Sequence, residues 1–298
     1  MNTRCLDRYI HTLRMLYGSR GRDRAWLEES LPRPDAVLGL QPVEAIERLF
    51  PSIRARLSAF DRPVAGELLH RPTSREVELL GRRVVWPILN KQGLEWYGMH
   101  PLHAYDFMAE SQLGLHDGGK VFYDFGGHHG IWALYYALAT GPTGRVYSFE
   151  PSVMNVEMSA LLLLVNEIEN VVNIGMAVGP SNAAASLKDL LVDFVPRESL
   201  QCVGLRDACW DRGDFLKMDV EGYEYDLLTR DPWIFDVATN MHIELHIPHL
   251  DRRGLDYRHV MAVIPFDRFD VFNHRADNPV YCDTRLSGFC GLMFRRRD

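Results

Sequence analysis

No stretch of this 298-residue chain is long and apolar enough to suggest a membrane span. Its most apolar run, "SALLLLV", falls far short of the ~20 residues that crossing a bilayer requires. The five cysteines, Cys5, Cys202, Cys209, Cys282 and Cys290, form no CxxC pair and no zinc-ligand spacing. An odd count in a chain of this size points to reduced thiols in a cytosolic compartment, and they read as packing residues. A basic face is also missing. The net charge is −7, which argues against a general nucleic-acid binder, because phosphate neutralisation needs clustered cations. The closing "RRRD" is the one dense basic run near a chain end and reads as a solvated tail. The opening "MNTRCLDRYIHTL" breaks its apolar residues with charge, so it does not read as a signal peptide. The expectation is a soluble, cytoplasmic protein with no membrane partner. Repeats and low-complexity tracts are absent too.

What remains is an ordinary globular mix, 47% hydrophobic and 24% charged, enough for one large domain or one domain with an appendage. The first sixty or so residues carry apolar residues at helical spacing among many arginines, in "RYIHTLRMLYGSRGRDRAWLEESL" and "VEAIERLFPSIRARLSAF". Pro32, Pro34 and Pro42 interrupt them, which predicts a few short helices joined by loops. "REVELLGRRVVWPIL" then switches towards period two around Gly81, the pattern of a hairpin.

From about residue 118 the rhythm becomes strand, helix, strand, helix. "KVFYDF", "RVYSFE", "VVNIGMAV", "DFLKMDV" and "NMHIELHI" read as strands, with helices in "IWALYYALA", "PSVMNVEMSALLLLVNE" and "YEYDLLTR". "FDRFDVFN" and "GFCGLMFRR" close the sheet. Such alternation predicts an α/β fold with a mostly parallel sheet and helices on both faces. Ligands then bind beyond the carboxyl ends of the strands, here the loops after Phe125, Glu150, Ala177, Asp219 and His246.

The first of those loops is "DFGGHHG". It lacks the G-x-G-x-x-G that a dinucleotide pyrophosphate needs, which argues against an NAD-dependent dehydrogenase. Its spacing is D-x-G-x-x-x-G, from Asp124, Gly126 and Gly130. Gly126 permits the turn off the strand and Gly130 allows close packing of the helix. Asp124 would repel a pyrophosphate but tolerate a cationic ligand. The second strand ends in "SFEP", which places Glu150 where a carboxylate can accept both hydroxyls of a ribose. Glu150 would also suit the N-terminus of the following helix. Together the two signals favour S-adenosylmethionine over NAD.

"VFYDFGGHHG", "YSFEPSVMN", "LLLLVNEIENV", "MAVG", "DFLKMDVEGYEYDLL" and "HIELH" occur in the order and spacing of FkbM-type methyltransferases, and over roughly residues 95–250 the chain resembles that family. The resemblance implies a Rossmann-like class I methyltransferase with an antiparallel last strand. It also implies S-adenosylmethionine as cofactor and a hydroxyl of a sugar or natural product as acceptor. It places Asp124, Gly126, Gly127, His128, Gly130, Glu150, Pro151, Asn155, Ala177 and Asp219 on the cofactor. The family's loop reads D-x-G-A-N-x-G, so Gly127 replaces its alanine and His128 its asparagine. His128 either hydrogen-bonds the cofactor or fills the loop; His129 is expected to face solvent or the N-terminal region.

Methyl transfer to an alcohol requires alignment and removal of a proton from a weakly acidic hydroxyl. Lys217, Asp219 and Glu221 alternate at the end of one strand, and His242, Glu244 and His246 on the next, at roughly 6.5–7 Å spacing along a face. Two arrangements follow. A divalent cation such as Mg could sit between Asp219, Glu244 and His246, with Glu221 or a histidine taking the proton, as the likeness to metal-dependent sugar O-methyltransferases implies. Otherwise His246 or Lys217 acts as base, oriented by Glu244. Blander roles also fit: Glu221 and Glu224 open a helix, Lys217 pairs with an acid, and His242 is an ordinary strand histidine. "WYGMHPLHAYDFMAES" is rich in aromatics and reads as a lid or as packing, with Tyr97 and Tyr105 near an acceptor.

The expected organisation is a mainly helical N-terminal region with a hairpin over residues 1–95, making lid, substrate or homo-oligomer contacts, and a catalytic domain over 96–298. The expected enzyme is an O-methyltransferase for a hydroxylated small molecule, with no nucleic-acid partner. An amine, protein or nucleic-acid acceptor is the alternative, as is a binding or assembly protein that keeps the fold without turnover.

Overall fold

The computed structural model describes residues 1–60, 66–98, 118–181, 201–209, 211–273 and 278–297. The chain opens with α1 (Thr3–Gly18), capped by the Asn2 side chain, which accepts from the Cys5 amide at 2.9 Å. α2 (Arg24–Ser30) is capped in the same way by Asp23. α3 (Pro42–Phe60) follows, so α1 and α3 are longer than the short helices expected. The prolines explain this. Pro32 and Pro34 lie in the connection, and Pro42 opens α3, where its missing N–H costs nothing. Pro51 sits within α3, between the buried Phe50 and Ile53.

The hairpin is present and starts earlier than its sequence pattern, with β1 (Leu68–Leu79) antiparallel to β2 (Arg82–Asn90). Leu80 and Gly81 turn it with φ of 49° and 71°. Positive φ at both central residues gives the turn twist that matches two antiparallel strands.

A seven-stranded sheet forms the centre. Its strands are β3 (Val121–Phe125), β4 (Arg145–Phe149), β5 (Val171–Ile174), β8 (Gly213–Met218), β9 (Ala238–His246), β10 (Phe269–Asn273) and β11 (Phe289–Arg296). Their order is β10-β11-β9-β8-β3-β4-β5. Five strands pair in parallel, and β11 runs antiparallel to both β9 and β10. The expected mostly parallel sheet with an antiparallel last strand is therefore found. "VVNIGMAV" is not one strand. It breaks after Ile174, and Ala177–Gly179 (β6) leaves the sheet to pair with Cys202–Gly204 (β7).

α4 (Ile131–Thr140) and α5 (Val153–Val165) follow β3 and β4, while α6 (Glu224–Arg230) follows β8. Every residue of α5 is buried, including the polar Asn155, Glu157 and Ser159. One of its sides is covered by the N-terminal helices: Leu6, Leu13, Tyr17, Ile46, Leu49 and Ile53 share a core with Val156, Leu161 and Leu164. Glu157 lies inside this seam. Arg56 grips it in a bidentate pair (Nε to Oε1 2.7 Å, Nη2 to Oε2 2.8 Å), and the Tyr17 hydroxyl donates to Oε1 at 2.6 Å.

Both partners of that pair are fully buried. Removing the carboxylate strands a guanidinium in the core, so Glu157→Ala should cost about 3–5 kcal/mol. Urea unfolding checks this, and an unchanged midpoint would show that the bridge is dispensable.

Candidate functional site

The strand order reverses at β3, so β4 runs to one side of it and β8 to the other. The loops leaving these three strands meet above their carboxyl ends. The amides of Gly126 and Gly127 both donate to the Phe149 carbonyl, at 2.9 and 3.0 Å, and the Asp219 amide donates to the Phe125 carbonyl at 2.9 Å. Gly126 has φ of 84°, and a Cβ there would lie 1.7 Å from the Asp219 carbonyl oxygen, so no other residue fits. Gly130, with φ of 87°, precedes α4. A Cβ on it would meet Ser159 Oγ at 2.3 Å, so its close packing is against α5.

Lys217 lies beneath this loop. Its Nζ donates to the Gly126 carbonyl at 2.7 Å and sits 3.4 Å from Asp124 and 3.5 Å from Asp219. Burial alone would lower the Lys217 pKa, but Asp219, Asp124 and Glu244 outweigh it and raise it. Lys217 therefore keeps its proton. Burial raises Asp124, which accepts from Ser148 Oγ at 2.9 Å. For Asp219, Lys217 and His246 overcome burial and hold the carboxyl below its usual range.

Glu150 is a hub. Its Oε2 accepts from the His128 amide at 2.9 Å, and its Oε1 accepts from the Ser152 amide at 2.8 Å and from Asn155 Nδ2 at 3.3 Å. Burial pushes its carboxyl up to about 7 despite these donors. The His128 amide can point at it because His128 takes φ of 46°. Asparagine and histidine are among the side chains that best tolerate this conformation, which links the two residue types at this position.

The histidine pair forms a stack, with ring centroids 4.0 Å apart. His129 does not face solvent; it is buried against the end of the N-terminal region, beside Gly93, with its ring next to Tyr97. Burial lowers the His128 pKa to about 4, so its ring is neutral. Gln92 Oε1, 3.1 Å from Nε2, can only accept, so Nε2 carries the proton and the Tyr97 hydroxyl donates to Nδ1 at 2.8 Å. The ring thus fastens residues 92–97 onto the glycine loop. Tyr105 and most of the aromatic segment it belongs to lie outside the described residues.

A second cluster occupies the ends of β8 and β9. β8 ends at Met218, so Asp219 and Glu221 do not share a strand face; Glu221, with φ of 53°, stands on the exposed rim. His246 is buried. Its Nδ1 lies 2.8 Å from Glu224 Oε1, and its Nε2 lies 3.4 Å from both Asp219 and Glu221. Burial would lower its pKa, yet Glu224 and then Asp219 raise it to about 9. Among the described residues, the group whose ligating atoms all lie within 4.8 Å of one another is Asp219, Glu224 and His246. Glu244, expected both as a metal ligand and as the residue orienting His246, is in neither position; Glu224 is. Its side chain is fully buried, with Oε1 also accepting from the Val220 amide at 3.1 Å and Oε2 without a hydrogen-bond partner. In sequence it reads only as an acid opening a helix, because its contact with His246 spans 22 residues. His242 packs its ring edge-on against Trp132. No helix among the described residues is long and apolar enough to cross a membrane.

Comparison with known proteins gives one family match: residues 124–271 match the methyltransferase FkbM domain. No curated protein matches the chain. Among solved structures, a SAM-dependent O-methyltransferase from Thermotoga maritima aligns at 12% identity over 75% of this chain and 79% of its own, with a TM-score of 0.38. Fibrillarin from Aeropyrum pernix, with natively bound S-adenosyl-L-methionine, aligns at 13% over 74% and 82%, with a TM-score of 0.41. An rRNA methylase from Streptococcus thermophilus aligns at 14% over 67% and 98%, with a TM-score of 0.38.

Glu244 provides a test of the electrostatics. Burial, then Asp219, pushes its carboxyl up from 4.5 to about 7, so ionising it opposes folding. The stability tied to its proton is fully present below 4.5 and lost as pH rises through 7. Glu244→Gln should therefore raise the thermal midpoint relative to wild type at pH 8 and lose that advantage at pH 4. An equal midpoint at pH 8 would contradict the assignment.

Proposed function

We propose, on the premise that residues 124–271 belong to the methyltransferase FkbM family, that this methyltransferase uses S-adenosylmethionine to methylate a hydroxyl of a small molecule, a sugar or other natural product. The observation that carries the reading is the pairing of a glycine loop that lacks the G-x-G-x-x-G spacing with Glu150 at the adjacent strand end. The residues present suit such a cofactor. Asp124 and Asp219 outnumber the Lys217 ammonium between them, and the net negative charge left beside the loop favours a sulfonium and disfavours a pyrophosphate. Among the described residues Glu150 Oε2 accepts one hydrogen bond, so it retains capacity for a ribose hydroxyl. When bound, the cofactor would supply an electrophilic methyl group on a sulfonium. Gly126, Gly127, Gly130 and His128 shape the loop that would hold its methionine part, while Pro151, Asn155 and Ala177 would flank the ribose and base.

His246 is the proton acceptor in this reading. Glu224 fixes its orientation from Nδ1, which leaves Nε2 turned towards Asp219 and Glu221 at the mouth. Glu221 on the rim would orient the acceptor hydroxyls. Lys217 holds the loop as a cation and does not serve as base. The carboxylates of Asp219, Glu221 and Glu244 would disfavour a polyphosphate backbone, which supports a small neutral acceptor over a nucleic acid.

A second reading rests on the buried, unpaired Glu224 Oε2 beside Asp219 and His246. A divalent cation held there would lower the pKa of the acceptor hydroxyl. An imidazole in the set suits zinc or iron better than magnesium. Turnover that survives metal stripping by a strong chelator would remove this reading.

Mass-shift screening of hydroxylated metabolites with methyl-labelled cofactor tests the main proposal; amine or RNA products alone would overturn the acceptor class. His246→Asn should lower kcat by about 10²–10⁴-fold. As the acceptor must be unprotonated, wild-type kcat should climb with pH until about 9, and the variant should lack that limb. A variant with near wild-type kcat would exclude His246 as the base.

A further inference from the structure

We infer that Arg20, contributed by the N-terminal region, is a positioning residue for the adenosine end of the cofactor site. The inference rests on the S-adenosylmethionine reading of the cleft. Arg20 lies two residues beyond the end of α1. Its Nη2 donates to the Pro151 carbonyl at 3.0 Å and to the Gly175 carbonyl at 2.9 Å, while Nη1 donates to the Leu16 carbonyl at 3.0 Å. Pro151 directly follows Glu150, and Gly175 directly follows the last residue of β5. One guanidinium therefore ties together the loops that leave β4 and β5.

The docking around it is specific. A Cβ on Gly175 would lie 2.6 Å from Leu16 Cδ1, so α1 packs directly on that backbone. The Gln201 side chain donates to the Ser19 carbonyl, and the Gln201 carbonyl accepts from the Ala177 amide at 2.8 Å. The end of α1 is thus joined to three segments: the start of the loop after Glu150, the break between β5 and β6, and the approach to β7.

Direction along the sheet makes this relevant to a ligand. With the methionine part at the loop after β3 and the ribose at Glu150 after β4, the base continues towards β5, about 4.8 Å further along the sheet. Its walls are then Pro151 and the Gly175–Ala177 segment, the same backbone that Arg20 fixes. A planar fork can hold two carbonyls in fixed relation, whereas a lysine ammonium acts as a point charge. The cofactor site accordingly extends beyond residues 124–271, into the N-terminal helices.

Calorimetric titration with S-adenosylhomocysteine tests this on the full chain. Arg20→Ala should raise its Kd about tenfold, the scale expected when charge-assisted hydrogen bonds are lost. Arg20→Lys should restore only part of the affinity, and it serves as the test variant if the alanine form does not fold. Arg22→Ala is the control. Arg22 donates to the Ala59 carbonyl at 2.5 Å in the same region and has no hydrogen bond to either loop, so its Kd should match wild type. Thermal midpoints of all variants separate lost fold from lost positioning. An unchanged Kd in folded Arg20→Ala, or an equal loss in Arg22→Ala, would reduce Arg20 to a structural strap. Absence of binding in the wild type would instead overturn the cofactor reading beneath it.

Discussion

The buried ammonium of Lys217 is the contact on which the site depends. An unpaired cation in a sheet interior is costly, and here it is offset by Asp124, Asp219 and the Gly126 carbonyl together. Those three groups belong to the ends of two adjacent strands and to the turn between strand and helix. A single charge therefore fixes where the glycine loop stands relative to Asp219. Gly126 has no room for a side chain because the Asp219 carbonyl fills that space. The loop is closed by packing and charge at once.

Around that centre the site divides by charge. On the β3–β4 side, Glu150 collects backbone and side-chain donors from His128, Ser152 and Asn155, so one carboxylate sets the relation between the first two loops. On the β8–β9 side, carboxylates surround His246 and favour its protonated form. That surplus of negative charge is what either a proton or a metal ion would neutralise. Glu224 holds the imidazole from behind in both cases, the role expected of Glu244.

The sheet, its order and its antiparallel last strand were legible because alternating apolar runs repeat with little interruption from residue 118 onwards. The turn at Gly126, with Asp124 and Glu150 at the adjoining strand ends, was legible because a glycine between an apolar strand and an apolar helix marks where the chain turns. Glu224 does open α6 as read, but its contact with His246 was missed for a physical reason. The strand pattern was extended through Asp219 to Glu221, yet β8 stops at Met218 and the chain turns left-handed at Glu221, which swings Glu224 under His246. The histidine pair had no signal either. Its partners Gln92 and Tyr97 lie more than thirty residues away. The N-terminal helices were read as short because prolines were taken as breaks, where Pro42 opens a helix and Pro51 lies within one.

Lys217→Met gives the most direct measurement of the central claim, that the ammonium builds the cofactor loop and takes no proton. The dissociation constant of S-adenosylhomocysteine should rise at least about tenfold in the folded variant, since the loop loses its anchor. Wild-type affinity combined with lost turnover would contradict the account and return Lys217 to the chemistry itself.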